Sequence, residues 1–467
     1  MYVARIGSFQ DDGNWVFFEG RRFNAFAFSE GDPSIKFMEW LADQPSRAIT
    51  DQEITNANVR AMLHRTGFLV DTPDDIAEDI ATRHNASEDG RANASVHLIV
   101  AQYCNLKCSY CYNGEDSYKL AKKTRMSKEI AEQALRLFMR YVDPEKGSLS
   151  LNFLGGEPLL GWVVISHVLE NMQNWAAEEG FKGQVFPSLQ TNLTFLPKGF
   201  IASVRRHDIR VLVEIDGPKD IHDTVRGHRA RGVSSFDSTQ RNCLALKKAG
   251  VPFHCKAVMT SDNISKLKDV RQTHFALGGQ SSALSELRPV NSDGKHFDSL
   301  LLPSLEQLAQ ALMPANIAEC DTPLMQQAKS KAWSNMLRSA TSSTIGCHQK
   351  HAAIFSVTAD GEIYNCPWFV QNEQHFIGNV KDSSVDRTRV IANVRHLSVE
   401  PDEACQSCAY FGGCGGGCPV TRELCKDDKQ LVDRVRNSRC ATYIPAIQSI
   451  ILARLAQRQA QLDERRV

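Results

Sequence analysis

Between Val96 and Pro289 the sequence alternates short apolar runs with longer amphipathic ones, and no other feature limits the possible architectures as much. The apolar runs are Val96–Ala101, Leu149–Leu154, Val185–Gln190, Val211–Ile215, Phe253–Met259 and Leu284–Pro289. Helical patterns lie between them over Ser127–Val142, Val163–Glu178, Lys198–Arg206, Ser238–Ala249 and Ile264–Phe275. In the first of these Ile130, Ala134, Leu137 and Phe138 share one side, and Ser127 is a good N-cap. Strands separated by helices pair in parallel through right-handed crossovers, so an α/β fold is expected. Six strands are too few to close an eight-stranded barrel. Functional groups in such folds gather at the C-terminal ends of the strands.

The residues just beyond each run are therefore the candidates for chemistry. The first run leads into CNLKCSYCY, with Cys104, Cys108 and Cys111 spaced C-x3-C-x2-C. Three thiolates at this spacing suit three irons of a [4Fe–4S] cube, which normally takes four cysteines, and the fourth iron is left open. The second run leads into Gly155-Gly156-Glu157-Pro158. Two glycines let the backbone approach a ligand closely, and the carboxylate beside them can receive an ammonium. The third ends in Gln190-Thr191-Asn192, all polar. The fourth runs into EIDGPKDIHDTVRG, where Glu214, Asp216, His222, Asp223 and Arg226 form a polar cluster. Glu214 and Asp216 share a face if the strand continues through both. Asp216 has a second reading, as the residue that shapes the Gly217-Pro218 turn, and His222 alone reads as structural.

The cysteine spacing resembles the signature of the radical S-adenosylmethionine (SAM) enzymes, and the strand count agrees with their open, partial (β/α)6 barrel. The resemblance implies that SAM binds the open iron and is cleaved reductively to methionine and a 5′-deoxyadenosyl radical. It also implies that Gly155, Gly156 and Glu157 contact the SAM amino group and that Tyr110 contacts adenine. Gln190 and Asn192 are expected on the ribose or carboxylate of SAM. Glu214 and Asp216 are expected as catalytic carboxylates that bind SAM or orient substrate, with Arg226 on the cofactor. The stretch around them is similar to one common in peptide- and protein-modifying members.

A second cysteine series comes after bridging helical material over 301–340. Cys347 and Cys366 flank Gly361, then come Cys405, Cys408, Cys414 and Cys418 as C-x2-C-x5-C-x3-C, and Cys440 ends the series. Taken alone this pattern also fits tetrahedral zinc. Behind the first motif it resembles the SPASM extension of radical SAM enzymes, a segment that holds two auxiliary [4Fe–4S] clusters. The resemblance implies an outer cluster on Cys405, Cys408, Cys414 and Cys440 and an inner one on Cys347, Cys366 and Cys418. Cys320 or Cys425 could supply the inner cluster's fourth ligand; otherwise that iron is open. Sulfatase-maturing members usually carry an aspartate directly after the second cysteine of the series, as a base. Here that residue is Pro367, which cannot accept a proton. Cys243 and Cys255 read as ordinary buried cysteines. An amphipathic helix over Ile444–Glu464, with Pro445 in its first turn, is expected to pack on the barrel.

The first 70 residues read as strands over Tyr2–Phe9, Trp15–Phe18 and Arg22–Ala27, then a helix from Pro33 carrying Ile35, Phe37, Met38 and Leu41 on one side. A short helix at Asp51–Ile54, another at Asn56–Arg65 and a closing GFLV element come next. This order resembles the winged-helix-like leader-binding (RRE/PqqD-like) domains, in which an extended leader adds to an open sheet edge. An ordinary packing domain has the same outline. Residues 71–95 are polar and read as a linker.

The organisation expected is thus 1–70 leader binding, 71–95 linker, 96–300 radical SAM core, 301–340 bridge, 341–445 SPASM and 446–467 C-terminal helix. The 54 basic residues match the 54 acidic ones, which gives no electrostatic case for nucleic acid or an anionic membrane. No run approaches the roughly 18 apolar residues of a membrane span. Fourteen cysteines without a secretory signal point to metal or catalytic use in a reducing compartment, so a cytoplasmic location is expected. The implied activity is a radical SAM peptide or protein maturase with three [4Fe–4S] clusters and SAM. Its partners would be a ribosomal precursor peptide or protein and a reduced flavodoxin- or ferredoxin-type donor. A thioether or cyclophane cross-link is the product favoured. A sulfatase-type maturase and a non-catalytic zinc-binding scaffold are the alternatives.

Overall fold

The computed structural model describes residues 1–20, 23–72, 93–113, 124–288, 302–311, 354–382, 384–390, 392, 403–414 and 418–464. The strands in chain order are β1 Tyr2–Val3, β2 Ile6–Asp11, β3 Asn14–Glu19, β4 Ala25–Ser29, β5 Leu69–Val70, β6 Asn93–Ala101, β7 Leu106–Cys108 and β8 Ser148–Gly155. They continue as β9 Gln184–Thr191, β10 Arg210–Glu214, β11 Arg226–His228, β12 His254–Met259, β13 Ser282–Glu286, β14 Ile354–Val357, β15 Glu362–Tyr364 and β16 Phe376–Asn379.

The main sheet runs β13-β12-β10-β9-β8-β6-β14-β15-β16. Its first six strands are the six sequence runs, each parallel to its neighbour and in unbroken chain order, as a partial barrel requires. Five helices cross between them over Lys128–Tyr141, Trp162–Glu178, Phe200–His207, Ser235–Lys248 and Leu267–Ala276. Ser127 caps the first by accepting from Ile130 N. Alternate strand residues such as Val96, Leu98, Leu151, Phe153, Val211 and Val213 bury against Leu135, Phe138, Ile165, Leu169 and Leu246. The other face is polar. His97, Asn152 and Ser188 stand in register, and a hydrogen-bonded row links them. Asn152 Nδ2 donates to Ser95 Oγ at 2.9 Å, Ser188 Oγ donates to Asn152 Oδ1 at 2.5 Å, and Ser95 Oγ lies 3.3 Å from His97 Nε2.

The C-terminal segment enlarges this sheet. β14 adds in parallel to β6, and Phe355 packs on Phe138 and Tyr141 at 4.7 and 5.0 Å between ring centroids. β15 and β16 continue antiparallel. Of the bridging material, Leu305–Ala311 is helical and 312–340 lies outside the described residues.

At the N-terminus β2, β3 and β4 form an antiparallel sheet, and β5, the GFLV element, pairs with β1. Helices span Ser34–Ala42 and Ala57–Thr66, the second capped by Asn56. The expected helix at Asp51–Ile54 is a turn instead. Glu53 folds back to accept from Thr50 N at 2.9 Å and pairs with Arg47, so the backbone turns without propagating.

Two expectations for the C-terminal helix are corrected. It spans Lys429–Glu464 and starts at Asp428, whose Oδ1 accepts from Leu431 N, so Pro445 lies inside it rather than in the first turn. That proline forgoes one N–H bond of the helix. Beyond Ala441, which touches the barrel side, the helix leaves the barrel. Ile447 and Ile451 bury against Val16, Phe18, Phe23 and Ala25 of the N-terminal sheet. The other face of that sheet, with Phe17, covers Ile35, Met38, Leu41 and Leu63 of its own helices.

Candidate active site

The cysteine loop leaves β6 and is held by a strap that the sequence did not advertise. β7 pairs antiparallel with β11, setting Cys108 opposite Arg226 and Leu106 opposite His228. Ser109 N bonds Val225 O at 2.9 Å, and Arg229 Nε donates to Cys104 O and Leu106 O at 3.1 Å each. The HDTVRGH stretch thus fixes the loop as well as contributing side chains to the site.

Leu106 N and Asn192 Nδ2 reach Cys104 Sγ at 3.3 and 3.7 Å, donors suited to a thiolate. Burial, reinforced by neighbouring negative groups, pushes the Cys104 thiol up to about 12 and also raises Cys108 and Cys111. Three half-buried thiols that resist ionising together, with N–H donors aimed at one of them, fit a multi-iron cation that would stabilise the thiolates. Among the described residues no three Cys, His, Asp or Glu side chains converge tightly enough for a single metal ion.

Glu157 is 1% exposed and accepts three hydrogen bonds, from Thr191 Oγ1 at 2.6 Å, Asn192 N at 2.8 Å and Leu159 N at 3.0 Å. A left-handed Leu193 (φ 50°) turns the chain back after Asn192 and holds this arrangement. Burial outweighs the hydrogen bonds and lifts the Glu157 carboxyl to about 7. The two glycines before it, which line the cavity, also let two stretches of backbone come close. A Cβ on Gly156 would sit 2.4 Å from the Tyr103 carbonyl carbon, and one on Gly155 2.3 Å from Ala101 O. Their bareness lets β8 reach the backbone of the cysteine loop, through Gly156 N to Ala101 O and Glu157 N to Tyr103 O.

Glu214, Asp216, Arg226, Tyr110 and Gln190 form one network, buried at Asp216, Arg226 and Tyr110 and half-buried at Glu214 and Gln190. Arg226 donates through Nη1 to Glu214 and through Nε to Asp216, each at 2.7 Å, and lies over the Tyr110 ring at 5.4 Å. The Tyr110 hydroxyl bonds Asp216, and Gln190 bonds Glu214. Burial would raise the Glu214 carboxyl, but Arg226 and Lys256, with the hydrogen bonds, bring it down to about 2. Such a carboxylate is a poor proton acceptor near neutral pH. Asp216 is fully buried, accepts from Val258 N at 3.0 Å as well, and does not line the cavity at the strand ends. Its carboxyl accepts from Arg226, Tyr110 and Val258 N, and so holds Arg226 and Tyr110 in place. His222 Nδ1 accepts from Asp216 N, a structural contact.

The strand ends open into a cavity of 1140 Å³ lined by the three cysteines, Tyr110, Glu157, Gln190, Asn192, Glu214 and Arg226. Sequence reasoning missed several of its walls. Lys256 stands opposite Glu214 on β12, and Arg288, Pro367, Trp368 and Tyr112 close one side. The one signal for them in the sequence was the alternation of polar with apolar residues along the strands, as in HCKAVM.

The later cysteines fall into two places. Cys366 and Cys418 pack together with Trp368, Phe369 and Val420. Cys408 and Cys414 lie within electrostatic reach of each other, and Cys440 adjoins Arg439, whose Nη2 donates to Cys414 O at 3.5 Å. Cys405, on the N-terminal side of this pair, accepts from Cys408 N through its carbonyl at 3.2 Å. Cys347 and Cys320 lie outside the described residues. Cys425 sits in a separate apolar pocket with Leu431. Cys243 and Cys255 are buried in the main core, as expected.

If Glu157 receives the SAM ammonium, its ionisation gates binding. Because the carboxyl titrates near 7 in the empty protein, SAM affinity should strengthen as pH rises through that value and level off above it. Glu157→Gln should bind SAM more weakly, by roughly tenfold or more, and lose that pH dependence. Equilibrium dialysis with labelled SAM between pH ~6 and ~8 checks both, a window centred on the ionisation that burial sets; an unchanged pH profile in the variant would refute the assignment.

Residues 98–281 match the Radical SAM superfamily. A cysteine-type anaerobic sulfatase-maturating enzyme of Clostridium perfringens is 25% identical over 353 residues, covering 73% of this chain and 91% of the relative. A serine-type anaerobic sulfatase-maturating enzyme of Bacteroides thetaiotaomicron is 24% identical over 353 residues, with 69% and 81% covered. The solved structure of native anSMEcpe with bound AdoMet and Cp18Cys peptide superposes with a TM-score of 0.62 at 20% identity, over 77% of this chain and 99% of that one, and has the same fold. The superfamily uses a [4Fe–4S] cluster and SAM. An enzyme therefore replaces the reading of a non-catalytic zinc scaffold. Among the described residues no helix is long and apolar enough to cross a membrane.

Proposed function

We propose that this chain, a radical SAM enzyme related to the anaerobic sulfatase-maturating enzymes, acts on a ribosomally made peptide and closes a thioether or cyclophane cross-link in it. One observation carries the choice of reaction. Pro367 lines the cavity at the sequence position where sulfatase-maturing members carry an aspartate base, and the lining carboxylates, Glu157 and Glu214, are both engaged. Cys104, Cys108 and Cys111 would hold a [4Fe–4S] cluster with one open iron, and Glu157 would receive the SAM ammonium. SAM bound there supplies a 5′-deoxyadenosyl radical on one-electron reduction, the step for which the protein provides binding, orientation and exclusion of water. Arg226 and Asp216 keep the cysteine loop and Tyr110 in place. Cys405, Cys408, Cys414 and Cys440, and Cys347, Cys366 and Cys418, would hold two auxiliary clusters, three in all. The electron donor would be of the flavodoxin or ferredoxin type.

The N-terminal sheet supports a peptide substrate. Its edge strands β2 and β4 have no further strand partner among the described residues, so a leader could add to either. A sulfatase-type oxidation is the second reading, favoured by the curated relatives at 24–25% identity.

Both readings meet the same experiment. A candidate precursor peptide is co-expressed with the enzyme and analysed by mass spectrometry. A loss of two hydrogens with fragment ions missing between two joined residues is expected. The same loss confined to one serine, or one cysteine whose side chain has become an aldehyde by losing two hydrogens and then exchanging sulfur for oxygen with water, in a full fragment ladder would establish the oxidation instead. Deleting residues 1–70 should weaken peptide binding at least roughly tenfold; unchanged affinity would reject leader docking.

A further inference from the structure

We infer that Arg288 and Trp368 form a clamp for a carboxylate of the substrate. The inference deepens the peptide reading above and rests on it. Trp368, two residues after Cys366, stacks on Tyr112, the residue after Cys111, with centroids 4.9 Å apart and planes inclined by 23°. The guanidinium of Arg288 lies over the Trp368 ring system, 4.1 Å from its centroid. All three residues line the cavity. Tyr112 and Trp368 thereby seat Arg288 in the cavity wall, within electrostatic reach of the Cys418 thiol, whose ionisation it favours.

Its Nη1 is buried and has no hydrogen-bond partner among the described residues. A buried guanidinium N–H without an acceptor is costly, and a guanidinium fixed on an aromatic face presents a flat donor edge that matches a carboxylate. Among the described residues, the two carboxylates that line the cavity are already engaged. Glu157 is bonded to Thr191, Asn192 and Leu159, and Glu214 to Arg226 and Gln190.

The carboxylate of SAM is not suited to this place. It shares a carbon with the ammonium assigned to Glu157 at the end of β8. Arg288 lies just past β13, four strands away in the sheet, or about 19 Å along it. The acceptor that fits this place is one the substrate brings, as an Asp or Glu side chain or as a C-terminal carboxylate.

The probe is a phage-displayed library of random peptides, panned on the anaerobically reconstituted full-length enzyme with SAM present. Acidic residues should be enriched with the wild type and basic ones with Arg288→Glu; Arg288→Lys should retain the acidic preference. The best wild-type peptide, made synthetically, should lose roughly tenfold in affinity when its Glu or Asp becomes the amide, or when its C-terminus is amidated, which tells the two sources apart. Affinities are compared as acidic-to-amide ratios within each variant, so a general loss of cluster or fold cancels. Enrichment without acidic residues, or an acidic preference that survives Arg288→Glu, overturns the clamp and leaves the peptide reading standing. Failure to enrich any peptide over the library background overturns both.

Discussion

Alanine at Cys104, Cys108 or Cys111 is expected to abolish SAM cleavage, a loss of at least ~10³-fold, since each thiol belongs to a set that works only when complete. Iron should fall by about four per chain, the content of one cube. Burial raises all three thiols, which a multi-iron cation would offset, and removing one leaves two ligands, too few to hold the cube. Cys243→Ala supplies the contrast: its thiol lies in the apolar core, and iron and cleavage should stay at wild-type levels. Anaerobic assay of 5′-deoxyadenosine together with iron analysis reads both. Retained cleavage in Cys108→Ala would refute the assignment of this loop.

Arg226→Ala should destabilise the fold by about 3–5 kcal/mol, the range for breaking a buried ion pair by deleting one member. Arg226 is 3% exposed and is the cation shared by Glu214 and Asp216; without it the buried Asp216 and the half-buried Glu214 lose their shared cation, and so does Tyr110. Arg226→Lys should recover little, because an ammonium does not span both carboxylates as the guanidinium fork does. The effect has a pH signature. Glu214 ionises near 2 in the folded chain against an ordinary 4.5, so the stability it lends is complete above pH ~4.5 and is lost as pH falls toward 2. The gap between variant and wild type should therefore narrow on acidification through that window. Urea denaturation at pH ~7 and pH ~3, inside that window, measures it, and an equal gap at both would show that Glu214 is not the carboxylate involved.

The barrel was legible because its cues are local and periodic. All six strands lie within two residues of the sequence runs at both ends, apart from the start of the first and the end of the last. Val96 begins the apolar pattern, but the strand starts at Asn93 because Ser148 and Leu149 on β8 offer pairing partners there. At the other end, Glu286 closes β13 where its partner Met259 closes β12. Pro445 misled for a related reason. A proline in an amphipathic run suggests a helix start, and only Asp428 together with the packing of the helix shows that it lies seventeen residues past one.

Side-chain roles were less accessible. Glu214 and Asp216 look equivalent in the sequence, two residues apart on one strand. Arg226 and the Lys256 beside β10 leave Glu214 ionised at the cavity wall, while Tyr110, Val258 N and Arg226 enclose Asp216 completely. Gly155 and Gly156 were recognisable as points of close approach; that the partner is the backbone of residues 101–103 required the two loops to be seen together.

By itself, then, the sequence determined the chemistry at hand and the scaffold that presents it. Cysteine spacing and strand–helix periodicity are properties of neighbouring residues, and neighbours in the chain stay neighbours in the fold. Only the tertiary structure decided what surrounds each group. The strap of β11 on β7, the burial of Asp216 and the stack of Arg288, Trp368 and Tyr112 join residues scores to hundreds of positions apart. Ionisation and hydrogen-bond partners depend on such contacts, and chain order does not encode them.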